Sequence, residues 1–183
     1  VHISAIGADI NSDSTYAKTK GEGEEAFRDY APKTTILRPS IIFGPQDDFF
    51  NRFASMSKTS PALPLIGGGK TRFQPVYVDD VADSVVKSLA NTDAFGGRIF
   101  ELGGPEVMNF KELMELMLRI IGRKRALIPV PYFAAGLMAS IGDLGSKLPF
   151  VQAPLTKDQL ILLKKDNVVG LTNEDTGTLE NFD

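Results

Sequence analysis

Short apolar segments rich in β-branched residues alternate with helical patterns along this chain, and this alternation constrains the fold more than any other feature. Residues 1–6, 34–38 and 98–102 have the character of buried strands, and helix-like segments lie between and after them. Strands that alternate with helices form a parallel sheet covered by helices. The sequence therefore predicts an α/β fold.

Charge and composition exclude several classes of function. The net charge of −3 argues against a nucleic-acid partner, which would require a basic face. With no cysteine and one histidine, the chain has no thiolate chemistry, and no metal site is expected. The first residues lack a secretory leader, and the longest apolar run, residues 132–142, is shorter than the roughly 20 residues that cross a bilayer. A secreted protein is therefore not expected.

Tyr16 and Lys20 are the residue pair that points to chemistry. Their spacing of four places both side chains on one face of a predicted helix that ends near Tyr30. An ammonium near a phenol favours the phenolate, so the pair predicts a pKa of Tyr16 below its usual value of about 10. Such a tyrosine can exchange protons near neutral pH. The alternative is an ordinary pair on a solvated helix face.

Three blocks of sequence occur in the order typical of a known family. The first is a strand with Ser4 followed by Tyr16-x-x-x-Lys20, the second runs from Leu37 to Pro45, and the third runs from Gly67 to Ala82. Together they resemble the extended and atypical short-chain dehydrogenase/reductases, which include the NAD-dependent epimerases and dehydratases. The resemblance covers roughly residues 1–165.

The resemblance implies a fold and a division into domains. The chain is expected to be the C-terminal part of an NAD(P)-binding Rossmann-type parallel sheet, with a smaller interleaved C-terminal α/β domain. Residues 1–48 and 73–104 are assigned to the second half of the Rossmann-type domain. The small substrate-side domain takes residues 49–72 and 105–166, and residues 167–183 are expected to be a disordered polar tail.

The family's functional residues can be transferred onto matching positions. Tyr16 matches the catalytic tyrosine, Lys20 matches the lysine that also binds the nicotinamide ribose, and Ser4 lies near the position of the catalytic hydroxyl. Arg72 matches an arginine that contacts substrate phosphates in sugar-nucleotide relatives. The cofactor-binding residues implied in this way lie at the strand end, on the helix and in the second block: Ser4, Ala5, Tyr16, Lys20, Pro39, Ser40, Ile41 and Phe43.

A narrower likeness links the chain to respiratory proteins. Residues 2–9, 14–22 and 67–78 resemble the alpha subcomplex subunit 9 type, the nucleotide-binding accessory subunits of respiratory complex I and their bacterial homologues. This likeness implies a structural NADPH, with NAD as the other candidate cofactor, and subunits of a respiratory complex as partners. It also implies a location in the cytoplasm or peripherally on the inner, cytoplasmic or matrix, face of a membrane.

The sequence departs from the family pattern in two places. No Gly-rich turn follows a first strand and opens a helix, so nucleotide binding is expected to require a missing N-terminal half. The catalytic serine or threonine normally lies one or two positions beyond Ser4, where this chain has Ala5 and Ile6. Loss of an aligned hydrogen-bond donor costs roughly 100- to 1000-fold in rate in well-studied enzymes.

Three functions remain open from the sequence. The first is an accessory subunit, or an assembly or stability factor, of NADH:ubiquinone oxidoreductase with structural NADPH. The second is an active NAD(P)-dependent oxidoreductase or epimerase/dehydratase that uses Tyr16 and Lys20. The third is an interaction module without nucleotide. The apolar segment of residues 132–147 is interpreted as a core helix, with a docking face for a membrane or a hydrophobic subunit as the alternative.

Overall fold

The computed structural model describes residues 1–145, 156–171 and 176–182, which form two compact units. Unit 1 comprises Val1–Asp47, Phe73–Val107 and Asn167–Asp183. Unit 2 comprises Asp48–Arg72 and Met108–Asp166. The C-terminal segment is therefore part of unit 1 rather than a separate tail.

Strands and helices alternate as the sequence predicts. The strands of the described residues are β1 (His2–Ile3), β2 (Ile36–Pro39), β3 (Ile42–Phe43), β4 (Ala62–Ile66), β5 (Arg72–Phe73), β6 (Val76–Tyr77), β7 (Ile99–Leu102), β8 (Met108–Asn109), β9 (Ala126–Val130) and β10 (Gly177–Thr178). The helices are α1 (Thr15–Tyr30), α2 (Phe49–Thr59), α3 (Val78–Ala90), α4 (Thr92–Phe95), α5 (Phe110–Ile120), α6 (Tyr132–Gly145) and α7 (Lys157–Leu162).

Unit 1 is built on a parallel sheet with the strand order β1-β2-β7-β10. Ile36 of β2 pairs with His2 on one side and with Ile99 on the other. Leu37, Phe100 and Leu102 are fully buried in the core of this sheet. A parallel sheet buries both of its faces, which explains why these strands are continuous apolar runs. The α/β, Rossmann-type fold class is confirmed.

Helix α1 begins where the run of small polar residues predicts a cap. The Ser14 hydroxyl accepts a hydrogen bond from the Ala17 N–H at 3.2 Å, which satisfies one of the unpaired donors of the first turn. Ala17 and Gly21 lie on the buried face of the helix. A Cβ at Gly21 would lie 2.7 Å from the Ile10 nitrogen, so the close approach of the helix to this loop requires glycine.

The C-terminal segment is ordered in its described residues, which differs from the expected disordered tail. Strand β10 adds a fourth strand to the sheet through parallel pairing of Gly177 with Phe100. A Cβ at Gly177 would lie 2.3 Å from the Phe100 ring, so only glycine fits there. The Phe182 ring is buried and lies 4.8 Å from that of Phe100. The polar composition of the segment concealed its apolar anchors, which include Val168 and Phe182, and this is why the structure differs from the expectation.

In its described residues, unit 2 contains a parallel pair of strands, β4 and β9, and the helices α2, α5, α6 and α7. Helix α5 starts with a capping box: the Glu112 N–H donates to Asn109 Oδ1 at 2.9 Å, and the Asn109 N–H donates to Glu112 Oε2 at 2.7 Å. An asparagine followed three residues later by a glutamate is the sequence pattern of such a box. Ile66, Ala135 and Leu160 are buried together in one of the cores of the unit.

Helix α6 falls within the apolar segment predicted at residues 132–147, and residues 146–147 lie outside the described residues. Ala135 and Ala139 are buried in unit 2, which agrees with the core interpretation. Phe133 and Leu137 are 83% and 69% exposed, so this helix also has an apolar outer face. Among the described residues, we find no helix with the length and hydropathy to span a membrane.

Candidate functional site

Lys20 lies at the carboxyl end of the parallel sheet of unit 1. Its ammonium donates a hydrogen bond to the carbonyl of Ile3, the last residue of β1, at 3.0 Å. The same ammonium lies 5.8 Å from the centroid of the Tyr16 ring, one helical turn earlier. Tyr16 is 47% exposed. In open α/β sheets, ligands bind outside the carboxyl ends of the strands, so this is the expected place for a nucleotide.

The pKa of Tyr16 shifts in the direction opposite to the sequence prediction. Partial burial raises this pKa above its ordinary value, because desolvation disfavours the charged phenolate. The Lys20 ammonium donates its hydrogen bond to the Ile3 carbonyl rather than to the phenol oxygen of Tyr16. The prediction of a lowered pKa is wrong for the described chain. At neutral pH Tyr16 is a neutral phenol, which can donate a proton or a hydrogen bond.

Ser4 is directed into the protein interior. Its side chain is buried, and its hydroxyl donates to Glu24 Oε1 at 2.5 Å. Ala5 and Ile6, the next two residues, are also buried and carry no hydroxyl group. The structure therefore brings Tyr16 and Lys20 together, but it engages the Ser4 hydroxyl with Glu24.

A buried ionic network that the sequence did not reveal holds helix α1 to the sheet. Arg38 on β2 makes a bidentate contact with Glu24 on α1, with Nε 2.8 Å from Oε1 and Nη2 2.6 Å from Oε2. Its Nη1 lies 4.0 Å from Oε1 of Glu101 on β7. All three side chains are at most 4% exposed. Glu24 comes one helical turn after Lys20, so the network fixes the helix that carries the candidate pair.

The loop of the second sequence block, from Pro39 to Phe43, is held by contacts with β6 and with Asn167. Pro39 ends β2 and is buried, and the Ile41 carbonyl accepts a hydrogen bond from the Val76 N–H at 2.9 Å. The Phe43 ring packs 5.4 Å from that of Tyr77. The Ser40 hydroxyl lies 2.6 Å from Asn167 Oδ1. These contacts give the loop a fixed backbone at the carboxyl end of β2.

Arg72 is engaged by an acidic partner in unit 2. Its Nε and Nη2 atoms each lie 2.8 Å from Asp166 Oδ2, and its backbone N–H donates to Oδ1 at 2.8 Å. The backbone hydrogen bond from Arg72, followed by its guanidinium, lowers the pKa of Asp166, although burial acts in the other direction. The family resemblance assigned Arg72 to the substrate side, and this assignment stays a prediction.

Unit 2 also contains an apolar cavity of about 340 Å³ that the sequence analysis missed. Aromatic side chains from α2 and α5 line it together with Leu162 and Leu163: Phe49, Phe53 and Phe110. The polar residues Asp48, Arg52 and Gln159 also contribute to the lining. The i, i+4 spacing of Phe49 and Phe53 was a usable signal, because it places both rings on one helix face. A site of this composition suits a ligand with an extended apolar part.

The described residues contain no group of three or more histidine, cysteine, aspartate or glutamate side chains that could hold a metal ion.

A helix-covered parallel sheet with a Tyr-x-x-x-Lys helix at its carboxyl end defines a Rossmann-type α/β protein of the NAD(P)-binding class. Residues 4–103 match the NAD dependent epimerase/dehydratase family, and the chain belongs to that family.

The curated proteins similar to this chain include respiratory subunits and a ceramide reductase. The chain is 36% identical to the NADH dehydrogenase [ubiquinone] 1 alpha subcomplex subunit 9 of Arabidopsis thaliana over 92% of this chain and 42% of the relative. It is 34% identical to the Mus musculus protein of the same name over 87% and 41%. It is 30% identical to a ceramide reductase of Caulobacter vibrioides over 70% and 40%. The chain therefore spans less than half the length of these relatives.

Solved structures agree on the fold. A dTDP-4-dehydrorhamnose reductase from Clostridium acetobutylicum has a TM-score of 0.62 and 17% identity, over 98% of this chain and 62% of that one. A dTDP-glucose 4,6-dehydratase from Streptomyces venezuelae with NAD bound has a TM-score of 0.58 and 22% identity, over 71% and 46%. At these identities the likeness establishes the fold alone.

Proposed function

We propose that this chain is the C-terminal part of an NAD(P)H-binding accessory subunit of NADH:ubiquinone oxidoreductase, in which NADPH is a structural ligand. One observation carries the proposal: Tyr16 and Lys20 meet at the carboxyl end of the sheet, while the Ser4 hydroxyl is engaged with buried Glu24. The pair needed to hold a nicotinamide ribose is present, and a hydroxyl donor for a substrate carbonyl is not aligned with it. The subunit 9 relatives support the same reading.

The residues at the sheet end fit the nicotinamide half of the nucleotide. An ammonium has three N–H donors, and in the described residues Lys20 directs one of them to Ile3. The other donors suit the hydroxyls of a ribose. We assign the nicotinamide ring to the backbone from Pro39 to Phe43 and to Ala5, which lies two residues beyond the end of β1. A bound NADPH would supply a hydride if a substrate had access, and in the proposed role it would stabilise the fold instead.

The proposed partners are subunits of the respiratory complex, and the proposed location is the inner face, cytoplasmic or matrix, of its membrane. The relatives named as subunits of NADH dehydrogenase support the complex. The apolar outer face of α6, with Phe133 and Leu137 exposed, supports a docking contact with a hydrophobic subunit or with the membrane surface.

Nucleotide retention by the full-length protein tests the proposal. We expect NADPH to remain bound through gel filtration and not to be oxidised by added quinones. Lys20→Met should weaken NADPH binding by roughly 10- to 100-fold, because hydrogen bonds to a charged group are lost. Lys18→Met is the matched control, since Lys18 is exposed on the same helix. A wild-type protein that purifies without nucleotide and takes up none would rule the proposal out.

A second candidate function is reduction of a carbonyl substrate with a long apolar part. The Caulobacter relative, which is named a ceramide reductase, favours this candidate. Tyr16 has the protonation state of a proton donor, because burial raises its pKa. In this reaction Tyr16 would donate its phenolic proton to the carbonyl oxygen, and NADPH held by Lys20 would supply the hydride to the carbonyl carbon.

Oxidation of NADPH by full-length protein in the presence of long-chain ketones distinguishes the two candidates. If the wild type reduces such a ketone, and Tyr16→Phe binds NADPH but does not, the protein is a reductase and the proposal of a structural NADPH is rejected. We expect neither wild type nor Tyr16→Phe to oxidise NADPH, and both to retain it.

A further inference from the structure

Asn167 joins the carboxyl ends of β1 and β2, although it lies far from both in the sequence. Its side-chain Nδ2 donates to the Ile6 carbonyl at 3.3 Å, just beyond β1. Its Oδ1 accepts from the hydroxyl of Ser40, the first residue after β2, at 2.6 Å. One amide group thus contacts the ends of two adjacent parallel strands. Neither the family resemblance nor the comparisons assign it a role.

The backbone of the same residue extends this connection. Its carbonyl accepts from the Gln74 N–H at 3.1 Å and lies 3.0 Å from the Ser40 hydroxyl. The Gln74 side chain donates to the Gly104 carbonyl at 2.7 Å, just beyond β7, and accepts from the Val169 N–H at 3.1 Å. The segment around Asn167 therefore connects the ends of three adjacent strands of the sheet.

An asparagine suits this place because its amide carries a donor and an acceptor in a fixed geometry. The donor must face the Ile6 carbonyl and the acceptor must face the Ser40 hydroxyl. An aspartate has nearly the same shape but places an oxygen opposite a carbonyl oxygen. Alanine removes both contacts, although the backbone carbonyl of residue 167 can still accept from Ser40.

We propose that Asn167 is a positioning residue that sets the separation between the ends of β1 and β2 and thereby shapes the nicotinamide end of the nucleotide site. The proposal rests on the proposed nucleotide-binding function. Asn167 acts through Ile6, which follows Ala5, and through Ser40, which belongs to the loop assigned to the nicotinamide ring. The adenine end of the nucleotide binds to the preceding half of such a domain. A displacement at Asn167 should therefore change the contacts of the nicotinamide and leave those of the adenine unchanged.

Comparison of a whole nucleotide with its adenine fragment tests this role in the full-length protein. We measure affinity by calorimetry for NADPH and for 2′,5′-ADP, and for NADH and ADP in parallel. In Asn167→Asp we expect the affinity for the reduced nucleotide to fall about tenfold, the equivalent of about 1.4 kcal/mol, while that for the adenine fragment stays unchanged. The fluorescence of bound reduced nicotinamide should also change, because it reports the environment of the ring.

Asn91→Asp is the matched control. It makes the same change of charge in unit 1, and its carboxylate can still accept the Ala94 N–H that Asn91 now caps. Equal losses of nucleotide and fragment in Asn167→Asp would show a role in folding only, and unchanged affinities would show no role; either result overturns the proposal. Should Asn167→Asp fail to fold, Asn167→Ala is measured in the same way. A wild type that binds neither nucleotide nor fragment would instead overturn the proposed function.

Discussion

Arg38→Met is expected to lower the free energy of unfolding of the full-length protein by about 3–5 kcal/mol. Arg38 is the cation between Glu24 and Glu101, and all three side chains are buried. Methionine fills a similar volume but leaves two carboxylates in the interior without the guanidinium that compensates them. Replacing a whole buried ion pair by apolar residues changes stability little. Removing only one member costs much more, because the remaining charge stays buried without a partner.

Chemical denaturation monitored by circular dichroism measures this effect. Arg28→Met is the control, because Arg28 lies 3.9 Å from the same Glu24 but is 50% exposed. A solvent-exposed pair contributes at most about 1 kcal/mol, so the control should unfold nearly as the wild type does. If both variants lose the same small amount, the buried network does not hold α1 to the sheet. The soluble yield of each variant gives a second readout if Arg38→Met cannot be purified.

Phe182→Ala should cost about 3 kcal/mol of unfolding free energy, the lower end of the range for a large-to-small change in a core. The Phe182 ring is 4% exposed and stacks on Phe95 at 4.7 Å between centroids. It also contacts Phe100 edge-on at 4.8 Å. Truncation leaves a cavity against two rings at the point where the last strand joins the sheet. Thermal unfolding of the full-length protein measures the loss.

Leu171→Ala provides the comparison for Phe182→Ala. Leu171 belongs to the same C-terminal segment and is 53% exposed, so its truncation should change stability by no more than about 0.5 kcal/mol. Equal stability of Phe182→Ala and wild type would mean that the segment contributes nothing to the core, as the sequence had suggested.

Local signals predicted the elements that carry the candidate pair. Ser14 as a cap, the helical spacing of Tyr16 and Lys20, and the apolar strands all act over a few residues, and the structure contains each of them. The capping box at Asn109 is another local pattern. Such features can be predicted from a short segment alone, because their energies depend on residues that are close together in the sequence.

Contacts between distant segments could not be predicted in this way. Charged residues such as Arg38 and Glu101 are seldom buried, and only the folded sheet shows that they compensate each other. Ser40 and Asn167 are 127 positions apart, and nothing in either local sequence indicates the contact. The prediction of a lowered Tyr16 pKa failed for the same reason. The direction of the shift depends on how much water the fold leaves around the phenol.

The strand order of unit 1 has a consequence for synthesis on the ribosome. Strand β7 lies between β2 and β10, and β10 comes from the last stretch of this chain. At about 5–20 residues per second, several seconds pass between the emergence of the two strands. During that interval β7 presents unsatisfied backbone groups to other nascent chains, which is a recognised route to aggregation. A chaperone that shields this edge would therefore act between the emergence of β7 and that of β10, while Met108–Asp166, the second stretch of unit 2, is being synthesised.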